Sequence, residues 1–406
     1  MILPFALWLG LIALAPLCFS QWWTRHYGKL ALLFAAATTG YYLFVLPADA
    51  SQTVLRTAHD YFSFIVLIGS LYVVSGGIHI ELQWEGTPWR NVCFLALGGL
   101  AANVLGTTGA SMLLIRPWLR LNESRPAAHH VVFFIFIVAN IGGGLTPIGD
   151  PPLLLGFLKG VPFWWVLRHC WPAWLLSMGL LLGAFYVMDR RHYARAPQPA
   201  PGESGRRLRC DGLWNLVFLS VIVAAVFIPR PWFLREGLML AAAAGSFLTT
   251  GKKIHEANQF SFEPMFEVAV LFFGIFATLM PVLDWLYGNA SIILGSEPSP
   301  SLVYWSSGGL SSVLDSAPAY LAFFSALSGL SLEQSGIARQ LAALSIATVF
   351  FGAVTYVGNG PNLMIKAIAE RQGIRLPTFP GYVFKWAVPI LLPLLLIVWM
   401  IFVRQP

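Results

Sequence analysis

The polar residues that could do chemistry lie in two stretches of an otherwise apolar chain. Residues 98–111 read GGLAANVLGTTGAS and residues 308–320 read GGLSSVLDSAPAY. A second pair follows, TPIGDPPL from Thr146 and TYVGNGPNL from Thr355. Val104 maps onto Val313 and Thr146 onto Thr355 with the same offset, so the chain contains an internal duplication. Irregular polar backbone at membrane depth survives only where it is buried in protein or lines a cavity. The four segments are therefore the candidate substrate site.

Their side chains define the chemistry. The first half of the chain offers Asn103, Thr107, Thr108 and Ser111, then Asn140, Thr146 and Asp150; the second half offers Ser312, Asp315 and Ser316, then Thr355, Asn359 and Asn362. Gly106 aligns with Asp315 and Asp150 with Asn359, so each half contributes one carboxylate where the other is neutral. An ionisable group at this depth costs about 2.5–3.5 kcal/mol on insertion scales and marks a functional site. Carboxylate, hydroxyl, amide and carbonyl oxygens suit hard cations. A carboxylate that holds either a cation or a proton makes an exchanger, so Asp150 and Asp315 are the expected ligands of a transported Na+ or Li+, with H+ as competitor. No resident cofactor is expected.

Blander roles compete for several of these residues. Asp150 and Asp315 are also suited to cap the helices that follow them, and Gly142–Gly144 to close helix packing. Glu267 is read equally as a proton-relay acid and as a scaffold ion-pair partner. For His59, Asp60, His79 and Glu81 an interfacial role is the stronger reading, and of two roles for Lys366, pairing with a carboxylate or snorkelling to the cytoplasm, snorkelling is favoured.

Composition places these residues in a membrane. The chain has 406 residues, 57% hydrophobic and 11% charged, against about 25% charged in soluble domains. Mean hydropathy is +0.70. The net charge of +7 reflects Lys and Arg in short loops, a topology signal and not a nucleic-acid one. Cys18, Cys93, Cys170 and Cys210 lack metal-ligand or disulfide-framework spacing. The start, MILPFALWLG, has no basic n-region and reads as a first membrane helix. No nucleophile elbow or phosphate loop appears, so no enzyme is expected.

The expected fold class is an all-α polytopic membrane protein built from two inverted repeats. The first repeat spans 1–188, with apolar runs at 3–19, 28–46 and 60–80, a re-entrant hairpin at 91–115, a helix broken at mid-membrane over 130–158, and a last run at 162–188. A polar linker, 189–211, is read as a cytoplasmic connector. The second repeat, 212–406, has runs at 212–229, 235–250 and 264–286, a hairpin at 302–329, a broken helix at 334–369 and a last helix at 380–403. About 20 residues cross a bilayer, so each half has five crossings and one hairpin. Five is odd, which inverts the second half. With the linker in the cytoplasm the 25 Lys and Arg divide 18 inside and 7 outside, as the positive-inside rule requires. Both termini then lie outside the inner membrane.

The motifs NIGGGLTPIGDPPLLLGFLKGVPF, VLDSAPAYL and TYVGNGPNLMIKAIAE resemble the ion transporter superfamily, and within it bacterial sodium/proton antiporters and citrate-transporter-like proteins. The likeness runs over nearly the whole chain. It implies a homodimer in the lipid bilayer, with a fixed scaffold and a transport domain of hairpins and broken helices that moves as an elevator. The family's tips carry over to Asn103–Thr108 and Ser312–Ser316, and its breaks to Thr146–Asp150 and Thr355–Asn362. Dicarboxylate carriers of this superfamily have a Ser-Asn-Thr triplet at both tips, where this chain has GTTG and DSAP. The related antiporters have an acidic residue and Asn where it has Gly106 and Thr107. The expected function is sodium or lithium/proton antiport by alternating access. The rivals are a cation-coupled carrier of citrate or another small organic anion, and an oxyanion efflux pump.

Overall fold

The computed structural model describes residues 2–47, 50–195, 207–228, 233–295, 297–330 and 334–404. These are almost wholly helical, and among them five helices are long and apolar enough to cross a membrane. Three helices form the first half's frame: α1 (Leu3–Cys18), α2 (Ser20–Phe44) and α3 (Ala50–Gly76). Helix α4 (Pro88–Leu121) follows, then the half-helices α5 (Ala128–Ile137) and α6 (Pro151–Leu158), then α7 (Trp165–Tyr193). The second half runs α8 (Asn215–Val226), α9 (Leu234–Thr249), α10 (Lys252–Ala257), α11 (Glu263–Gly288), α12 (Ala290–Leu294), α13 (Pro300–Val313), α14 (Ser316–Ser328), α15 (Gln334–Phe351) and α16 (Gly360–Arg371). It closes with α17 (Phe379–Val403).

Helix α4 is long enough to cross and does not do so as one rod. Gly106 has φ 75° and ψ 153°, a conformation essentially confined to glycine, and the chain folds back there. Asn91 at the start donates to Asn122 just past the end at 2.7 Å. Phe94 stacks on Trp118 at 5.3 Å. Both pairs centre on residue 106, so α4 is a helical hairpin with its tip at Gly106. In the second half α13 and α14 pack on one another across a turn at Leu314–Asp315. Asp315 there has φ −55°, so this turn tolerates a side chain where the first does not.

Between α5 and α6, and between α15 and α16, the helix stops and restarts. The halted segments hold Gly142, Gly143 and Gly149 in one and Gly352 and Gly358 in the other. A Cβ on Gly142 would lie 2.5 Å from the Gly99 Cα, and one on Gly149 would lie 2.1 Å from the Gly143 carbonyl oxygen. These glycines allow the break to nest against the hairpin. Helix α5 is buried on all sides from His129 to Ile137, as a helix apolar around its full circumference must be. Outside this centre α11 packs on α2, α3 and α14, and α3 packs on α4 and α9.

Several bounds differ from the sequence expectation. Residues 20–27, expected in a loop, are helical, with Arg25 and Lys29 exposed on α2. The third helix begins at Ala50 and ends at Gly76, and His79–Gln83 forms strand β1. Its partner β2 is Arg207–Asp211, antiparallel, with His79 opposite Asp211 and Gln83 opposite Arg207. The end of the expected polar linker is thus a strand, its start at Asp189 continues α7, and its residues 196–206 lie outside the described residues.

Candidate functional site

Two hairpin tips and two helix breaks meet at the centre of the molecule, and the same hydrogen bonds join each tip to its break. Thr107 N–H donates to the Gly149 carbonyl at 2.7 Å, and Ser316 N–H to that of Gly358 at 3.1 Å. Thr146 Oγ1 donates to the Asn103 carbonyl, and Thr355 Oγ1 to that of Ser312, each at 2.6 Å. Gly149 N–H and Gly358 N–H donate back to those hydroxyls at 3.1 and 3.0 Å. Every one of these bonds has its counterpart at the repeat-related position of the other half. Thr146 and Thr355 therefore spend their side chains on freed backbone groups.

Three of the expected ligands hold the framework instead. Asn103 donates to the Gly142 carbonyl at 2.6 Å and accepts from Leu145 N–H at 2.9 Å. Asn140 donates to the Ile135 carbonyl and to Asn362 Oδ1, both at 2.8 Å. Asn362 donates to the carbonyls of Gly352 at 2.9 Å and Thr355 at 3.0 Å. Asn140 and Asn362 thus lace one break to the other. Ser312 is half-buried and donates to Gly309 in its own helix at 2.7 Å.

What remains converges on Asp150, which is 1% exposed. Its Oδ1 accepts from Thr107 Oγ1 at 2.8 Å and from Asn359 Nδ2 at 3.1 Å. Asn359 also donates to the Ala139 carbonyl at 3.0 Å and to Asn140 Oδ1 at 3.2 Å. Asp150 Oδ2 is buried with no hydrogen-bond partner among the described residues, and so is Ser316 Oγ. Asp150 does not cap α6 with its side chain. Asp315 does cap α14, accepting from Ala317 N–H at 3.1 Å. A small cavity of about 20 Å³ opens beside Asp150, walled by Gly106–Gly109, Pro147–Pro151 and Leu67, Ile68 and Leu71 of α3. Half-buried Thr108 lines it, and no basic side chain of the described residues does.

The electrostatics come from backbone. The second arm of α4 after Gly106, α6 at Pro151, α14 at Ser316 and α16 at Gly360 all begin here. Each helix start carries roughly half a positive charge and each helix end roughly half a negative one, and because the first arm of α4, α5, α13 and α15 end here as well, the centre offers amide-rich and carbonyl-rich poles without a cationic side chain. Glu267 is placed elsewhere, on the exposed face of α11 beside Glu263 and Tyr27 of α2. Lys366 pairs with Glu370 at 2.7 Å instead of only snorkelling. Asp60 is buried and pairs with Lys159 at 2.7 Å.

A family model described as "Putative citrate transport" matches residues 1–403. The chain belongs to that family. An uncharacterised transporter of Mycobacterium bovis is 23% identical over 376 residues, covering 85% of this chain and 86% of the relative. One of Mycobacterium tuberculosis matches to the same extent. A 46 kDa membrane protein of Mycobacterium leprae is 24% identical over 371 residues, covering 83% and 86%. This member of the citrate-transport family is thus a multi-pass membrane transporter, in keeping with its resemblance to the ion transporter superfamily. The α3 wall of the cavity was not legible in its sequence, because Leu67, Ile68 and Leu71 look like any helix face.

Proposed function

We propose that the chain is a secondary transporter exchanging sodium or lithium for protons at Asp150, with Asp315 as the second carboxylate. The observation that carries this is the free Oδ2 of Asp150, buried beside a cavity that no basic side chain of the described residues lines. A buried carboxylate oxygen without a donor is costly, and a bound cation or proton relieves that cost. The cavity has room for about one water-sized species. Thr107, Thr108 and Ser316 supply hydroxyl oxygens around the ion, while Asn359 orients the Asp150 carboxylate and a proton on that carboxylate displaces the ion.

Transport follows from inverted repeats that alternate access. The hairpins and broken helices move as one body against α3 and α11, in a dimer in the inner membrane with the linker cytoplasmic and both termini outside. A second reading, cation-coupled carriage of citrate or a related small organic anion, is favoured by the family's description and by the four helix starts, which suit a carboxylate as well. In that reading Asp150 and Asp315 bind the coupling ion. Equilibrium binding of radioactive sodium to the purified protein tests the first reading. Binding that falls on acidification and is lost in Asp150→Asn is expected; binding indifferent to both contradicts it.

A further inference from the structure

A second buried ionisable cluster lies away from the tips, at the feet of the first hairpin. Asp189, near the end of α7, is 0% exposed. Its Oδ1 accepts from Arg125 Nη1 at 2.5 Å, His130 Nε2 at 2.9 Å and His129 Nε2 at 3.0 Å. Its Oδ2 accepts from Arg125 Nη2 and from Asn91 Nδ2 of α4, both at 2.9 Å. Arg125 Nε also donates to the Gly86 carbonyl at 3.0 Å, and Asn91 ties the two feet of the hairpin through Asn122. One carboxylate therefore fastens α4, α5 and α7 together.

The knot is electrically balanced only while the imidazoles are neutral. Arg125 and Asp189 cancel. His129 and His130 need only their Nε2–H to serve Asp189, and a neutral ring provides it. A proton taken up by His130 lands on Nδ1, which is buried with no acceptor among the described residues. It also adds a second cation beside Arg125, whose Nη1 is 3.5 Å from His130 Nε2. The rings of His129 and His130 are 4.2 Å apart, and that of His192 is 5.1 Å from His129. His192 reaches the Arg125 carbonyl at 3.4 Å. The remaining charges are peripheral: Glu85 accepts from Tyr193, Arg90 donates to the Glu85 carbonyl, and Arg190 and Arg191 lie on the last turn of α7. Of the other helices against α5 and α7, α16 has Lys366 and Glu370 paired with each other, and α17 has Lys385 exposed. A metal ion would have to share Oδ1 with a guanidinium, which its charge disfavours.

We infer that His129, His130 and Asp189 form a proton-binding site separate from the transport site, which clamps the feet of the first hairpin when neutral and releases them when protonated. Imidazole is the side chain whose charge changes between pH 5 and 8, so the clamp responds to acidification on its own side of the membrane. The inference is independent of which ion or anion is carried.

Hydrogen exchange of the full-length protein in nanodiscs tests it, with rates corrected for intrinsic pH dependence. Between pH 8 and 5.5 the peptides covering residues 84–92 and 118–130 are expected to lose protection, the loss setting in below about pH 6.5, where a released imidazole protonates, and growing about tenfold per pH unit for each linked proton. In His129→Gln/His130→Gln, whose amides donate as Nε2 does but do not titrate, protection should be independent of pH. Wild-type protection that does not change, or the same loss in the double variant, overturns the inference. Should that variant not fold, NMR of ring-labelled histidines in the wild type decides. Rings of His129 and His130 that titrate in step with the loss of protection support the site, and rings that do not titrate overturn it.

Discussion

Asp150 and Asn359 are repeat mates with near-identical backbones, φ −142° and ψ 142° against φ −150° and ψ 139°. Both precede a helix start with proline in its first turn; Pro151 directly follows Asp150 and favours that extended conformation, while Gly360 separates Asn359 from Pro361. Their side chains differ because they meet: one must accept what the other donates, at 3.1 Å. Two aspartates here would repel. Asp150→Asn is expected to reduce cation-dependent proton flux to the liposome background, and the exchange Asp150→Asn/Asn359→Asp to restore part of it by returning one carboxylate to the pair. A hydrogen bond to a charged group is worth about 1.5–3 kcal/mol. Thr107→Val should therefore weaken apparent sodium affinity about tenfold or more, measured as the sodium concentration for half-maximal flux. Asp315→Asn keeps a good helix cap, so unchanged thermal stability with lost exchange would assign Asp315 to the ion and not to α14. Much of this was legible, since the Gly, Asn and Asp of the motifs stand out in apolar surroundings. That Asn103, Asn140 and Asn362 brace backbone was not, because their partners are carbonyls freed only once the chain breaks.

Among the elements, the hairpin tips show how far a repeat constrains backbone. Gly106 and Asp315 are mates, yet only Gly106 has a positive φ, so a carboxylate fits the second tip and not the first. A Cβ on Gly106 would also sit 3.3 Å from the Ile148 carbonyl oxygen. Gly106→Ala should cost about 1–3 kcal/mol, read as a lowered Tm. Gly309→Ala, on open helix surface in α13, should leave Tm unchanged or slightly higher. A second element-level feature is the ion pair between Lys159, just past α6, and buried Asp60 of α3. Removing Lys159 alone takes an ammonium away from a buried carboxylate. Lys159→Met should lower thermal stability, and Asp60→Asn/Lys159→Met should recover part of it. The hairpin in α4 could be read from the interruptions in one apolar run. Strands β1 and β2 could not, since two short segments from opposite halves of the chain give no periodic signal. Nor could the Asp189 knot, whose histidine and arginine partners lie on different elements far away in sequence.

Over the whole molecule, the site is made of segments that no single helix could supply. Four short helices begin at one place, so the polar backbone that a membrane would penalise is satisfied by its counterpart or turned on the transported species. The apolar composition identifies the class, and the constant offset between paired motifs identifies which segments meet. The ion is not encoded in either, because a ring of oxygens between helix starts and helix ends suits a cation, a proton or a carboxylate. The decisive measurement uses the purified protein in liposomes with a lumenal pH dye and an imposed pH gradient, to which sodium, lithium, potassium and citrate are added in turn. A proton flux evoked by sodium or lithium, absent with potassium and lost in Asp150→Asn, is the result predicted here. Silence to all three cations, with sodium-dependent uptake of labelled citrate, would contradict antiport and move the function to anion carriage.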